Sequence, residues 1–157
     1  MKKTIITTVV MLLCVLCFVG LKHMYWQAKR KAPRAPCAAN LSSIGRVMAV
    51  YALDHNENFP TNFRSLVTNY VNHPKLFVCP KAKAQAGSIS NVDKWTSYTL
   101  ITNASDASDI WAFCTPNHHK GKGCNILHLD GSVWWVKTDE FEKLLKEQGL
   151  SHLWKRH

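Results

Sequence analysis

The sequence predicts an α+β protein, with one N-terminal membrane helix, further helices, an antiparallel sheet of about four strands and a C-terminal helix. Three observations carry this prediction: an uncharged apolar run near the N-terminus, helical spacing of apolar residues after it, and later short runs of β-branched and aromatic residues. With 157 residues, 46% apolar and 19% charged, the chain has the size and composition of one folded domain plus an anchor. We therefore divide it into an anchor, residues 1–36, and a body, residues 37–157.

The apolar run covers the 18 uncharged residues from Thr4 to Leu21. As a helix it would span about 27 Å, just enough to cross a bilayer. Tyr25 and Trp26 follow at the depth where aromatic rings sit in a membrane interface. A signal anchor fits this pattern. A cleaved signal peptide is the alternative, although Phe18-Val19-Gly20 lacks the small first residue of a cleavage site.

The net charge of +10 raises the question of nucleic-acid binding. Seven of the 20 basic residues and none of the 10 acidic ones lie in residues 1–36, so the body carries only +3. The basic residues thus belong to membrane contact, and Lys120 and Lys122 in the body are a weak phosphate patch. We expect the lipid bilayer as a partner, and neither nucleic acid nor a small-molecule substrate.

The body contains four cysteines, Cys37, Cys79, Cys114 and Cys124. An even number in a small domain predicts two disulfides and an oxidising compartment. Three pairings are possible, and we favour Cys37–Cys79 with Cys114–Cys124. The positive-inside rule taken alone opposes this compartment, because the basic residues after the apolar run outnumber those before it. Weighing both, we expect the body to lie outside the cytoplasm.

The first elements of the body are helices. Residues 38–53 place apolar side chains at helical spacing, weakened locally by Gly45. Thr61 or Asn62 can cap a short helix that runs to Tyr70 or Val71, and residues 81–94 have the polar, aperiodic composition of a surface loop.

The strands follow, and their predicted ranges are Trp95–Thr102, Asp109–Thr115, Asn125–Leu129 and Ser132–Lys137. Asp130-Gly131 is a strong two-residue hairpin turn between the last two strands, since glycine tolerates positive φ. Thr138 is predicted to cap a final helix that Gly149 ends.

One region concentrates residues able to do chemistry: Cys114, His118, His119, Cys124 and His128. Two cysteines and three histidines suffice for a tetrahedral zinc site, but their spacing matches no standard finger, and a disulfide would use both sulfurs. His128 alternates with Leu127 and Leu129, which favours a solvent-facing strand histidine. We therefore predict no catalytic residue, no cofactor and no metal site. The alternative is a metal- or thiol-dependent enzyme, or a metal-binding module, that uses this region.

Several segments resemble one bacterial family, the pilin-like or pseudopilin-like proteins related to type II secretion and type IV filament subunits. Within it, the chain is similar to a group with a C-terminal His…Asp-Gly segment. The segments that carry the resemblance are Cys37-Ala-Ala-Asn40-Leu41-Ser-Ser-Ile44-Gly45, Tyr51-Ala52-x-Asp54-x-Asn56, Phe59-Pro60, Phe77-x-Cys79-Pro80 and Asn125-Ile-Leu-His-Leu-Asp130-Gly131-Ser-Val133. They occur in the expected order over most of the body.

The resemblance implies a pilin-like fold, in which a long N-terminal helix has a membrane half and an amphipathic half packed on the sheet. It also implies a non-enzymatic assembly role, a body in the periplasm and partners among pilin-like or secretion-system subunits. Two features depart from the family. The prepilin peptidase signal is absent, because residues 1–36 contain no acidic residue, and Lys120 stands where the group has a histidine. We therefore expect a single-pass protein that stays in the bacterial inner membrane and does not enter a processed filament.

Overall fold

The computed structural model describes residues 2–31, 34–67 and 69–154. The chain divides into two units, Met1–Pro33 and Arg34–His157.

The N-terminal unit is one helix, α1 (Lys2–Lys31). Within this helix, the 19-residue segment Val10–Ala28 has a mean hydropathy of 1.5, and none of its residues is buried. By length and composition this segment is able to cross a membrane, as a single-pass anchor or a signal sequence would. The side chains of residues 4–9, the first part of the predicted span, lie outside the described set.

The second unit confirms the predicted α+β class. Its helices are α2 (Ala35–Asp54), α3 (Arg64–Val67), α4 (Val92–Trp95) and α5 (Thr138–Glu147). Its strands are β1 (Tyr98–Leu100), β2 (Ile110–Cys114), β3 (Gly123–His128) and β4 (Val133–Lys137). They form one sheet in the order β1-β2-β3-β4, with every neighbouring pair antiparallel.

Helix α2 covers one face of the sheet. Its buried residues recur at three- and four-residue intervals: Cys37, Leu41, Ile44, Gly45, Met48 and Ala52. Gly45 marks a close approach to the sheet, because a Cβ there would lie 2.9 Å from Leu127 Cδ1. The glycine that weakens the helix locally thus allows it to lie close to β3.

Helix α5 packs on the sheet as well. Its Phe141 meets Phe113 of β2 edge to face, with ring centroids 5.0 Å apart. Phe113 is the strand neighbour of Cys114, so the two side chains point to opposite faces of the sheet. The sheet is therefore enclosed by α2 on one face and by α5 on the other.

Two predicted boundaries differ from the structure. The segment 81–94 is not wholly a surface loop, because it includes a 3-10 helix, Ile89–Asn91, and the start of α4, whose Val92 is fully buried. The first strand is shorter than predicted because Trp95 belongs to α4, and its indole donates a hydrogen bond to the Ser88 carbonyl (2.9 Å).

The helix ends were predicted in part. The Asn62 side chain caps α3 by accepting a hydrogen bond from Ser65 N (2.9 Å), and Gly149 follows α5 with φ of +71°. Thr138 is not the cap of α5. It is the first helical residue, and its hydroxyl donates to the Gly121 carbonyl (2.6 Å) instead. The hairpin between β3 and β4 is present, with φ of +84° at Gly131, but it is not the predicted two-residue turn. His128 N donates to the Ser132 carbonyl (2.9 Å), which leaves three residues, 129–131, in the loop.

We expect Gly123→Ala to destabilise the body more than Gly121→Ala. Both glycines have positive φ (+145° and +68°), in regions that L-residues rarely adopt and that cost them on the order of 1–3 kcal/mol. A Cβ at position 123 would also collide with the Val136 carbonyl oxygen, whereas one at position 121 meets nothing within 4 Å. Thermal melting of the detergent-solubilised full chain checks this. Equal losses in the two variants would contradict the close pairing of β3 with β4.

Candidate functional site

Three cysteines and one histidine meet inside the body. The sulfurs of Cys37, Cys79 and Cys114 and a ring nitrogen of His119 all lie within 4.8 Å of one another. The three cysteines are fully buried and His119 is 7% exposed. We call these four residues the Cys3His cluster.

Packing of α2 on the sheet brings Cys37 and Cys114 together. Cys37 lies in the first turn of α2, and Cys114 is the last residue of β2. Their sulfurs are 3.3 Å apart. The Tyr98 hydroxyl, on the strand that pairs with Cys114, reaches the Cys37 sulfur at 3.9 Å.

Cys79 comes from the segment that follows a 3-10 helix, Pro74–Phe77. The Asn40 side chain of α2 donates to the Val78 carbonyl (3.0 Å), and the Phe77 carbonyl accepts a hydrogen bond from Ser97 N (3.0 Å). Hydrogen bonds to α2 and to the start of the sheet therefore hold this segment in place.

His119 is the last residue of another 3-10 helix, Pro116–His119. Thr115 caps that helix by accepting a hydrogen bond from Asn117 N (3.1 Å), and Lys120 follows in the left-handed conformation. The His119 ring meets the Trp135 ring edge to face at 5.1 Å. Its Nε2 lies 3.6 Å from the Cys79 sulfur.

The start of α2 is fixed beside the cluster. The buried Asn125 side chain donates to the Arg34 carbonyl (3.1 Å), which also accepts the amide hydrogen of Ala38. The Arg34 guanidinium lies over the ring of Trp135, 4.1 Å from its centroid. One tryptophan ring thus contacts both Arg34 and His119.

The electrostatics of the cluster favour a thiolate at Cys79. Hydrogen bonds with Cys114 and Cys37, and then with the neighbouring histidines, lower the pKa of Cys79 well below the usual thiol range, although burial opposes this. Hydrogen bonds with Cys37 and Cys79, together with burial, raise the pKa of Cys114. For Cys37 the hydrogen bond with Cys114 lowers the pKa, but Cys79 and burial outweigh it and raise the pKa to about 11.

The cluster unites residues that the sequence assigned to different roles. Cys37, Cys79 and Cys114 come from the predicted disulfides, and His119 comes from the alternative metal region. Cys124 and His128 are not part of it, and the His128 ring instead hydrogen-bonds with the Ser108 carbonyl (2.7 Å). His118 is not one of the four residues, but its side chain lies beside Cys79 and helps to lower the pKa of that thiol.

All six cysteines are free thiols in the structure, so neither predicted pair is formed. Cys37 and Cys79 lie close together in the cluster, and their pairing stays a prediction. Cys114 and Cys124 are not placed to form a disulfide with each other. Cys114 faces α2, as does Asn125, and strand alternation turns Cys124 to the opposite face of the sheet.

Four soft or borderline donors around one point are the ligand set of a tetrahedral zinc or iron–sulfur site, and a buried thiolate flanked by thiols also suits disulfide exchange. Comparison with protein-family models, with curated proteins and with solved structures finds no match for this chain.

We expect Cys124 to be a free thiol in the native protein, unreactive until the chain unfolds. It is fully buried, and burial raises the pKa of its thiol. Alkylation without reductant, before and after denaturation, followed by peptide mapping, measures this. Modification should appear only after denaturation. Recovery of a Cys114–Cys124 linked peptide would contradict the strand register described above.

Proposed function

We propose that this chain is a membrane-anchored, pilin-like structural or assembly component, related to type II secretion and type IV filament systems, that works without catalysis. In this proposal α1 is retained as a single-pass anchor in the bacterial inner membrane, and the body lies in the periplasm. Its partners are the bilayer and other pilin-like or secretion-system subunits.

One observation carries the proposal: the segments that resemble the family contact one another in the fold. Asn40, in the first segment, donates to the Val78 carbonyl between Phe77 and Cys79. Gly45, at the end of the first segment, lies against Leu127 of the segment that contains Asp130-Gly131. Three of the segments that resemble the family, those that begin at Cys37, Phe77 and Asn125, thus contact one another although they are distant in sequence. Such contacts are expected if the resemblance reflects a shared fold.

The outer face of α2 supports an assembly role. Arg46, Val50 and Leu53 follow one another at four- and three-residue intervals and are exposed, Val50 by 48% and Leu53 by 79%. Val50 and Leu53, two exposed apolar side chains on one face of the helix, offer a point at which a helix of another subunit can pack.

A reporter fusion after residue 157 tests the placement of the body. Alkaline phosphatase, which is active only after export, should be active in this fusion. The same fusion lacking residues 1–31 is the matched control and should be inactive. The intact mass of the membrane-extracted protein should include residues 1–36. A cytoplasmic reporter, truncation near Gly20 or recovery in sheared extracellular fibres would each contradict the proposal.

A photo-crosslinking residue at position 50 tests the assembly role. We expect it to link the chain to another pilin-like subunit or to a second copy, identified by peptide sequencing. The same residue at the exposed Lys146 of α5 is the control and should give no such product. Equal crosslinking from both positions, or products that contain only unrelated abundant proteins, would argue against α2 as an assembly surface.

A further inference from the structure

We propose that Cys37, Cys79, Cys114 and His119 together bind one zinc ion, and that this ion is structural. The site does not depend on the assembly role proposed above. It would serve a body of any function, because it concerns how the segments of the body are held together.

The distances fit a tetrahedral ion. With Zn–S bonds of about 2.3 Å and a Zn–N bond of about 2.0–2.1 Å, tetrahedral angles put two sulfurs about 3.8 Å apart and a sulfur and a nitrogen about 3.6 Å apart. The distance from Cys79 Sγ to His119 Nε2 is 3.6 Å. The sulfurs of Cys37 and Cys114 are 3.3 Å apart, and no pair of the four ligand atoms is farther apart than 4.8 Å. Shifts of a few tenths of an ångström to about one ångström therefore complete the geometry.

The number of sulfurs favours a metal over a disulfide. The cluster holds three thiols, because Cys124 faces the other side of the sheet. Any disulfide within the cluster would use two of them and leave one buried thiol beside a buried imidazole. A zinc ion uses all three sulfurs and the nitrogen, and so leaves none of these buried polar atoms without a partner.

Ligand type and burial identify the metal and its role. Three thiolates and one imidazole form a set that zinc prefers over magnesium, calcium or manganese, which take oxygen ligands. Four protein ligands fill a tetrahedral shell, and the burial of all four residues leaves no open position for water or substrate. This is the arrangement of a structural site rather than a catalytic one.

Zinc would join segments that are far apart in sequence: the first turn of α2, the loop after Phe77, the end of β2 and the 3-10 helix before Lys120. The Trp135 ring against His119 is the outer contact that would orient the imidazole. Loss of the ion should therefore loosen the start of α2 from the sheet.

The first experiment measures zinc in the full-length protein, purified in detergent under reducing conditions without chelator. We expect one zinc per chain, and a lower melting temperature after its removal by a strong chelator. Cys79→Ala and His119→Ala should each lose the metal. Cys124→Ala, a buried thiol outside the cluster, and His128→Ala, a histidine whose ring hydrogen-bonds with the Ser108 carbonyl instead, are matched controls that should keep it.

The second experiment does not depend on whether those variants fold. Cobalt replaces zinc in the wild-type chain and in His119→Cys, which turns the site into a four-thiolate one. Wild type should show the visible bands of tetrahedral cobalt with thiolate charge transfer. The His119→Cys variant should keep the ion and show stronger charge transfer, because it has one more sulfur ligand.

Three outcomes would overturn the site. One is a reduced, folded protein that holds no zinc and takes up no tetrahedral cobalt. Another is loss of the metal in His118→Ala while His119→Ala retains it. The third is a native Cys37–Cys79 or Cys37–Cys114 disulfide found by non-reducing peptide mapping in the protein isolated with thiols blocked.

Discussion

The packing of α2 on the sheet is the contact on which the rest of the body depends. Gly45 sets how closely the helix approaches β3, because any larger residue would press on Leu127. That approach places Cys37 beside Cys114 at one end of the helix and buries Met48 and Ala52 toward the other. Asn40 then fixes the loop that carries Cys79. The Cys3His cluster is a consequence of this one helix position, since each of its members is brought there by an element that contacts α2 or the strand beneath it.

The elements with strong periodic signals were predictable, and the convergence of the loops was not. Apolar spacing predicted α2, and the alternating runs with Asp130-Gly131 predicted the meander, because these signals depend on near neighbours in sequence. Val92 and Trp95 were placed wrongly, in a loop and in a strand, because burial at one end of a polar segment has no local signature. Cys37 and His119 are 82 positions apart, so only the tertiary fold could bring them together. The sequence could indicate which cysteines and histidines are able to act as ligands, but not which of them meet in the fold.

The even number of cysteines in the body led to a predicted Cys114–Cys124 disulfide that the sheet geometry does not favour. Four cysteines suggested two disulfides, yet the sheet separates them into three on the α2 face and Cys124 on the other. A group of three thiols with an imidazole is a ligand set, and metal-bound thiolates occur in reducing as well as oxidising compartments. The cysteine count then no longer argues for an oxidising compartment. The proposed periplasmic placement of the body therefore rests on the resemblance alone, and the basic residues that follow the apolar run oppose it.

The position of the cluster along the chain suggests why a metal would be useful if α1 is retained as the proposed anchor. The second unit begins at Arg34 and its first helix begins at Ala35, so any pull transmitted along the chain from α1 would reach that unit at the first turn of α2. Without a metal, that turn is held by contacts such as the hydrogen bond from Asn125 to the Arg34 carbonyl, each worth about 1 kcal/mol. Structural zinc sites contribute about 10 kcal/mol or more, which exceeds several such contacts together. Binding Cys37 to the sheet through zinc would therefore make the start of α2 one of the last parts of the second unit to open under load, which would suit the proposed assembly component.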